Sequence, residues 1–381
     1  MERGTSGVQQ VLSYLLERDE AVTRPAIAAA HDLSRPTVFG AVRRLESLGL
    51  VHQVGQSAGR PGRSPALYEM SLGAGLLASV DIGGSNVRLA VADVRGRILL
   101  ERREETRTGG GHRVVRQVAT LLGRARRSRP VAGRPFSVVA VSVPGVVGPD
   151  GGTVHFASNI DQPEPLDVRT PLQSLTGAPV VLENNVNLAA VGERWQGVAR
   201  HLETFAVVAV GAGVGAGVMH QGALIRGAHG AAGEVAFLPL HRGRRRADVT
   251  AHDEAGGLSL LRAARARRDW TGPPPATVQE IFERAAARER PAVALVKEEC
   301  LRVARIIASV CAVVDPQTVV LTGGVGANDR LIAEAERLTA ELTLFPPPVV
   351  RSALGERASL IGAVRLAATT AAGRLLDSLA E

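Results

Sequence analysis

Residues Val180 to Trp195, VVLENNVNLAAVGERW, join an apolar run of strand character to a segment with helical spacing. The polar group Glu183-Asn184-Asn185 lies at the junction. Buried strands of α/β proteins present ligand-binding groups at their carboxyl ends. Carboxylate and carboxamide groups at such a position can hydrogen-bond the hydroxyl groups of a polyol. We therefore expect these three side chains to line a ligand site.

Two further segments share the pattern of a strand, a glycine-rich turn and a second strand. They are residues 76–93, LLASVDIGGSNVRLAVAD, and residues 205–219, FAVVAVGAGVGAGVM. Backbone amides in such a turn can hold phosphate oxygens. One glycine hairpin alone would be an ordinary turn, but its repetition predicts two similar lobes around a cleft.

The segments DIGGSN, ENNVNLAAVGE and RGAHGAAGE (residues 226–234), in that order, resemble motifs of the ROK family of sugar kinases and repressors. The resemblance runs from Gln9 to about Arg374 and implies an α/β protein with a two-lobed actin/hexokinase-like (ribonuclease H-like) ROK domain. It implies sugar contacts at Asn159, Asn184, Asn185, His229 and Glu234. It also implies candidate nucleotide contacts at Asp81, Gly83, Gly84, Ser85, Gly213, Gly323 and Gly324.

Three departures from the kinase pattern of this family favour sensing over turnover. Asn185 stands where the kinases have the Asp that serves as general base, and a neutral carboxamide cannot accept the hydroxyl proton. Ala212 replaces a threonine near phosphate, which argues against binding of ATP with magnesium. Phe237 replaces a zinc-binding histidine, and the cysteine-rich segment that should follow is absent. We therefore expect no zinc and no other cofactor.

Residues 8–54 show three short helical patterns and then a strand pattern, which is typical of a winged helix-turn-helix. Thr23 and Ser34 are predicted to cap the second and third helices. The wing sequence GRPGR, residues 59–63, suits a narrow minor groove. A small helical interaction module is the alternative. The predicted DNA contacts are Arg35, Thr37, Phe39, Arg43, Arg44, Arg60 and Arg63.

The chain has 381 residues and is 45% hydrophobic, which allows two or three domains with separate cores. Its net charge of +8 rests on arginine, because Lys297 is the only lysine. We predict a winged helix-turn-helix at residues 1–73, a first ROK lobe at 74–185 with 355–381, and a second lobe at 186–354.

Cys300 and Cys311 cannot pair within one helix, and no apolar run is long enough to span a membrane. We therefore expect a cytoplasmic protein without a membrane partner.

Three functions remain open. The first is a sugar-responsive transcriptional repressor, binding a palindromic, AT-rich DNA operator as a homodimer or homotetramer. The second is an active ATP-dependent sugar kinase with a regulatory DNA-binding head. The third is a DNA-binding protein whose ROK body is only an oligomerisation scaffold. The sequence favours the first, since Asn185 argues against the kinase and the retained Asn159, Asn184 and Glu234 argue against the scaffold.

Overall fold

The computed structural model describes residues 7–18, 20–57, 64–156, 160, 162, 164–239 and 251–379. Within these ranges the chain forms an N-terminal head and two lobes, and each has its own sheet. Among the described residues, no helix is both long and apolar enough to cross a bilayer. Cys300 and Cys311 are buried free thiols.

The head is a winged helix-turn-helix, as the sequence predicted. Thr23 Oγ1 accepts a hydrogen bond from the Ala26 amide, and Ser34 Oγ accepts one from the Thr37 amide, so both predicted N-caps are confirmed. The three strands are antiparallel in the order β1-β3-β2. The head elements are α1 (Gly7–Leu16), β1 (Val22–Thr23), α2 (Arg24–His31), α3 (Arg35–Ser47), β2 (Val51–Gln56) and β3 (Ala66–Met70).

Lobe I contains a five-stranded sheet in the order β11-β7-β4-β5-β6 and a small sheet in the order β10-β9-β8. Strands β4 and β5 form the first predicted glycine hairpin. The elements of lobe I are β4 (Leu76–Ile82), β5 (Asn86–Asp93), β6 (Ile98–Glu105), α4 (Gly111–Ala125), β7 (Phe136–Val143), β8 (Gly145–Val147), β9 (Thr153–Phe156), β10 (Leu166–Asp167), α5 (Arg169–Thr176) and β11 (Val180–Asn184).

Lobe II has a second five-stranded sheet, in the order β14-β13-β12-β15-β16, and β12 and β13 form the second predicted hairpin. After β15 the chain forms a short helix, in which the Ala327 amide donates to the Gly323 carbonyl at 2.9 Å. The elements of lobe II are α6 (Asn185–Gln196), β12 (Phe205–Val210), β13 (Val214–His220), β14 (Ala223–Ile225), α7 (Ala251–Glu254), α8 (Gly257–Ala266), α9 (Val278–Ala286), α10 (Arg290–Val314), β15 (Val319–Thr322), α11 (Gly323–Gly326), α12 (Asp329–Leu342) and β16 (Val349–Arg351). The closing helix α13 (Ala358–Ser378) follows and returns to lobe I.

Helix α13 joins lobe I to the head. It packs on the lobe I sheet, and its last turns carry Leu375 and Leu376 against the core of the head. The Gln9 side chain donates to the Leu376 carbonyl at 3.0 Å. In the turn between β5 and β6, the Arg95 guanidinium lies 3.5 Å from the Glu69 carboxylate of the head. These contacts dock the head on lobe I, so the two are not joined by a free linker alone.

Candidate functional site

Helix α6 begins directly after the carboxyl end of β11, and Asn184 is the N-cap of that helix. Its Oδ1 accepts from the amides of Val186 at 2.7 Å and Asn187 at 3.2 Å, while its Nδ2 donates to the Gly145 carbonyl at 3.0 Å. These bonds satisfy orphan amides of the first helical turn and tie β11 to β8. Asn184, a predicted sugar contact, is therefore engaged mainly in shaping the site, with one amide hydrogen left for a ligand.

Glu183 links the two lobes. The residue is 6% exposed, and its Oε1 accepts from Asn187 Nδ2 and from the Asn184 amide, each at 2.9 Å. Its Oε2 accepts from Arg226 Nε of lobe II at 2.6 Å. Two of the donors lie at the junction of β11 with α6, and the third lies at the start of the loop that follows β14. The ion pair therefore holds the carboxyl end of β11 against the loop that follows β14.

Asn185, at the position where the resemblance implies a catalytic Asp in kinases, is partly exposed. Its backbone carbonyl accepts from Ser359 Oγ at 2.8 Å, which connects it to the first turn of α13. Among the described residues, its side-chain carboxamide has no hydrogen-bond partner. The carboxamide is thus free to donate to and accept from a ligand hydroxyl, but it cannot act as a general base.

The loop from Arg226 to Glu234 lies between the lobes, and two of its glycines are required there. A Cβ on Gly230 (φ 76°) would lie 2.6 Å from the Val147 carbonyl oxygen of lobe I. A Cβ on Gly233 (φ 87°) would overlap the Ala216 carbonyl oxygen of lobe II. Glycine alone allows both the backbone angle and the close approach. The loop is thereby held next to β8 and β13.

Glu234 ends this loop and is partly buried. Burial raises the pKa of its carboxyl group, and no described residue donates a hydrogen bond to it. A desolvated carboxylate without donors gains stability from ligand hydroxyl groups. His229 is exposed on the same loop. Asn159, the remaining predicted sugar contact, lies outside the described residues.

The predicted nucleotide contacts of lobe I surround the β4–β5 turn. Gly84 and Ser85 are exposed at this turn, and a Cβ on Gly83 would lie 2.9 Å from the Asn86 carbonyl oxygen. Asp81 is 4% exposed; its Oδ1 accepts from Ser142 Oγ at 2.8 Å and its Oδ2 from Arg88 Nη1 at 3.4 Å. Burial raises the pKa of Asp81. Magnesium at this carboxylate would compete with the Arg88 cation.

The predicted nucleotide contacts of lobe II meet at the β12–β13 turn. The Gly257 amide donates to the Gly211 carbonyl at 2.7 Å, and a Cβ on Gly256 would lie 2.9 Å from Gly213 Cα. A Cβ on Gly323 would lie 2.5 Å from the Val210 carbonyl oxygen, whereas Gly324 faces open space. The start of α8 thus packs directly on the turn. In the described part of the chain, no three His, Cys, Asp or Glu side chains are grouped to hold a metal ion.

Glu299 of α10 accepts a hydrogen bond from the residue that precedes α8, and so helps to hold α8 against the turn. It is fully buried, and its Oε1 accepts from the Gly256 amide at 2.7 Å, while its Oε2 has no hydrogen-bond partner and lies 3.9 Å from Arg302 Nη1. Burial raises the pKa of Glu299 from 4.5 to about 7, because the charged form is poorly solvated. The folded protein therefore holds a proton that the unfolded chain releases between these two pH values.

Folding stability should consequently fall as the pH rises from 4.5 to about 7, by about 3 kcal/mol from this group. Glu299→Gln should remove this loss, because glutamine stays neutral and its Oε1 can still accept from Gly256. Urea unfolding at pH 5 and pH 8 measures the effect. The exposed Glu298→Gln is the control, and a Glu299→Gln profile that parallels wild type would contradict the assignment.

The head presents the predicted DNA contacts of α3 on one exposed face. Arg35, Thr37, Phe39, Arg43 and Arg44 are all exposed there, whereas Arg60 and Arg63 lie outside the described residues. The Arg24 guanidinium lies 4.5 Å from the Phe39 ring centroid and 4.6 Å from that of Tyr68. Such stacking restrains Phe39.

Two residues of these sites were not predicted from the sequence. Arg24 was missed because its partners are distant along the chain, and Arg226 was missed although the RGAHG motif was an available signal.

The head and the two lobes together define a class of protein: a winged helix-turn-helix joined to a two-lobed domain of the actin/hexokinase-like type. The ROK family model matches residues 77–370, and the chain belongs to the ROK family. The IclR helix-turn-helix domain model matches residues 9–55.

Relatives of this chain include both repressors and kinases. A putative xylose repressor from Caldicellulosiruptor sp. (strain Rt8B.4) is 28% identical over 231 residues, which cover 60% of this chain and 57% of that protein. A beta-glucoside kinase from Listeria innocua is 27% identical over 291 residues, which cover 76% of this chain and 96% of the kinase. The crystal structure of a ROK family transcriptional regulator, a homolog of the E. coli MLC protein, superimposes with a TM-score of 0.77 at 18% identity and covers 98% of this chain and 97% of that one.

Proposed function

We propose that this protein is a sugar-responsive, DNA-binding transcriptional regulator of repressor type whose ROK domain senses a ligand and does not phosphorylate it. The observation that carries the proposal is the course of α13. Its first turn bonds the Asn185 backbone through Ser359, and its last turns pack on the head at Leu376. One helix thus connects the candidate sugar cleft with the DNA-binding domain.

The proposed ligand is a carbohydrate bound between Asn185, Glu234 and their neighbours. Glu183 and Arg226 already connect the lobes, so a ligand that changes this contact changes the angle between the lobes. Such a ligand alters DNA affinity only through a difference in its own affinity for the two lobe arrangements. The proposed DNA partner is a palindromic, AT-rich operator bound by a homodimer or homotetramer, because paired recognition helices read paired half-sites.

The proposed mechanism uses neither zinc nor another cofactor. Asn185 lacks the basicity for proton removal, so the chain's own residues bind and orient the sugar without transferring a phosphate.

A thermal-shift screen against sugars, sugar phosphates and ATP with magnesium tests the proposal, since ligands of the folded state raise its melting temperature. Stabilisation by a sugar alone is the expected result. Phosphate transfer to that sugar in a coupled assay would overturn the sensor in favour of a kinase.

Glu234→Gln should weaken the response to the sugar found in that screen by about tenfold and leave DNA affinity unchanged. The physical reason is that a charged acceptor forms stronger hydrogen bonds than a neutral one. Sugar titrations followed by melting temperature, with DNA binding measured in parallel, check both statements. Glu341→Gln, at an exposed position of lobe II, is the matched control. An unaltered sugar response would remove Glu234 from the site.

A further inference from the structure

One surface of lobe I carries arginines that carboxylates do not balance. Residues 106–135 contain eight arginines and no Asp or Glu, and the net charge of the whole chain is +8. Within the described part of the chain, Arg124 alone among the eight has a carboxylate partner, Glu104 at 2.8 Å. Seven of them are exposed, namely Arg107, Arg113, Arg116, Arg124, Arg126, Arg127 and Arg129.

Many arginines elsewhere in the protein are neutralised locally. Examples are the ion pairs Arg267–Asp269 and Arg337–Glu334, each at 2.8 Å. The abundance of arginine in the chain therefore does not by itself produce an unbalanced surface. A cluster of unpaired guanidinium groups creates a positive potential that attracts polyanions, and guanidinium groups bind phosphate oxygens well.

The topology places part of this surface at the end of lobe I that follows the head in the chain. Residues 126–135 directly precede Phe136, which pairs with Leu76, the first strand residue after the head. At the same end of the sheet, Arg95 lies against Glu69 of the head. Arg126 and Arg127 also line a surface concavity of about 460 Å³. These residues thus lie at the end of lobe I to which the DNA-binding domain is attached.

We propose that Arg126, Arg127 and Arg129 form a second DNA contact, which binds phosphates of the duplex beside the segment that the head reads. This inference rests on the proposed DNA-binding function. The contact is independent of base sequence, because it is made to the backbone. Its effects are a longer footprint, a higher affinity and a steeper dependence of affinity on salt concentration.

The test uses the full-length protein and a duplex selected with it from a random-sequence library. Hydroxyl-radical footprinting of the bound duplex defines the protected segment. Two fluorescent probes are then compared, one trimmed to the core segment read by the head and one extended by about one helical turn, ~10 base pairs, on each side. The variant Arg126→Gln/Arg127→Gln/Arg129→Gln removes three charges without leaving a described carboxylate unpaired. The control, Arg262→Gln/Arg265→Gln/Arg268→Gln, removes three exposed charges from lobe II.

On the extended probe, the lobe I variant should bind about tenfold more weakly at 0.15 M salt, and its slope of log K against log salt should be shallower by roughly two to three. On the trimmed probe it should match wild type, and the control should match wild type on both. Wild-type binding of the extended probe by the lobe I variant would overturn the second contact, as would an equal loss on both probes. Failure of wild type to select any duplex would instead count against the proposed function itself.

Discussion

Replacing Gly362 with alanine should destabilise the folded protein by about 3 kcal/mol. The added methyl group would overlap the carbonyl oxygen of Leu188 and lie 2.6 Å from its carbonyl carbon. Both atoms belong to the backbone of α6, so no side-chain rotation can make room. Helices α6 and α13 would have to separate, and the packing that connects the cleft to the head would loosen. Chemical denaturation followed by circular dichroism measures the change.

Gly373→Ala in the same helix is the matched control, because a Cβ there meets nothing within 4 Å. It should be neutral or stabilise the protein by up to about 1 kcal/mol, since alanine favours a helix over glycine. Equal stabilities of the two variants would show that α6 and α13 do not approach as closely as the structure describes. The pair thus separates the effect of crowding from that of helix propensity.

Arg43→Ala/Arg44→Ala should lower affinity for the selected duplex by about 100-fold, the largest functional loss that we expect. Both residues are exposed on α3, and each arginine that contacts a base or phosphate contributes roughly 1–3 kcal/mol. The substitution leaves the buried face of α3 at Val38, Val42 and Leu45 unchanged, so the head should remain folded. Fluorescence anisotropy at fixed salt concentration measures the loss.

Arg262→Ala/Arg265→Ala provides the charge-matched comparison in lobe II. A similar loss in that variant would mean that overall charge determines DNA affinity. Near wild-type binding by the α3 variant would exclude α3 as the recognition helix. Circular dichroism melting of both variants identifies any loss that results from unfolding.

Several elements could be predicted because their signals are local. The caps at Thr23 and Ser34 and the alternating apolar strands on both sides of DIGGSN are properties of a few neighbouring residues. Helix α4, in contrast, was not predicted. It begins after Gly110, which provides no side-chain cap, and is stabilised by burial of Val114, Val118 and Leu122 in lobe I.

In the candidate site, too, some features follow from local sequence and others only from tertiary contacts. Glu183, Asn185 and Glu234 could be selected from motifs, and the lack of a base at position 185 follows from residue identity alone. The ion pair between Glu183 and Arg226 joins residues 43 positions apart, and no spacing rule predicts it. Asn184 illustrates the opposite case, because a motif indicates a ligand contact and the structure shows a helix cap.

From the sequence alone we could predict the winged helix-turn-helix, the two glycine hairpins, the family and a carboxamide in place of a carboxylate at position 185. These follow from local periodicity, turn chemistry and residue identity. The tertiary structure was needed to show that α13 runs from Asn185 to the head, that Glu183 pairs with Arg226, and that Arg126 to Arg129 precede the end of the lobe I sheet at which the chain leaves the head. These contacts form because segments that are distant in sequence bury apolar surface against each other, and no short stretch of sequence contains that information.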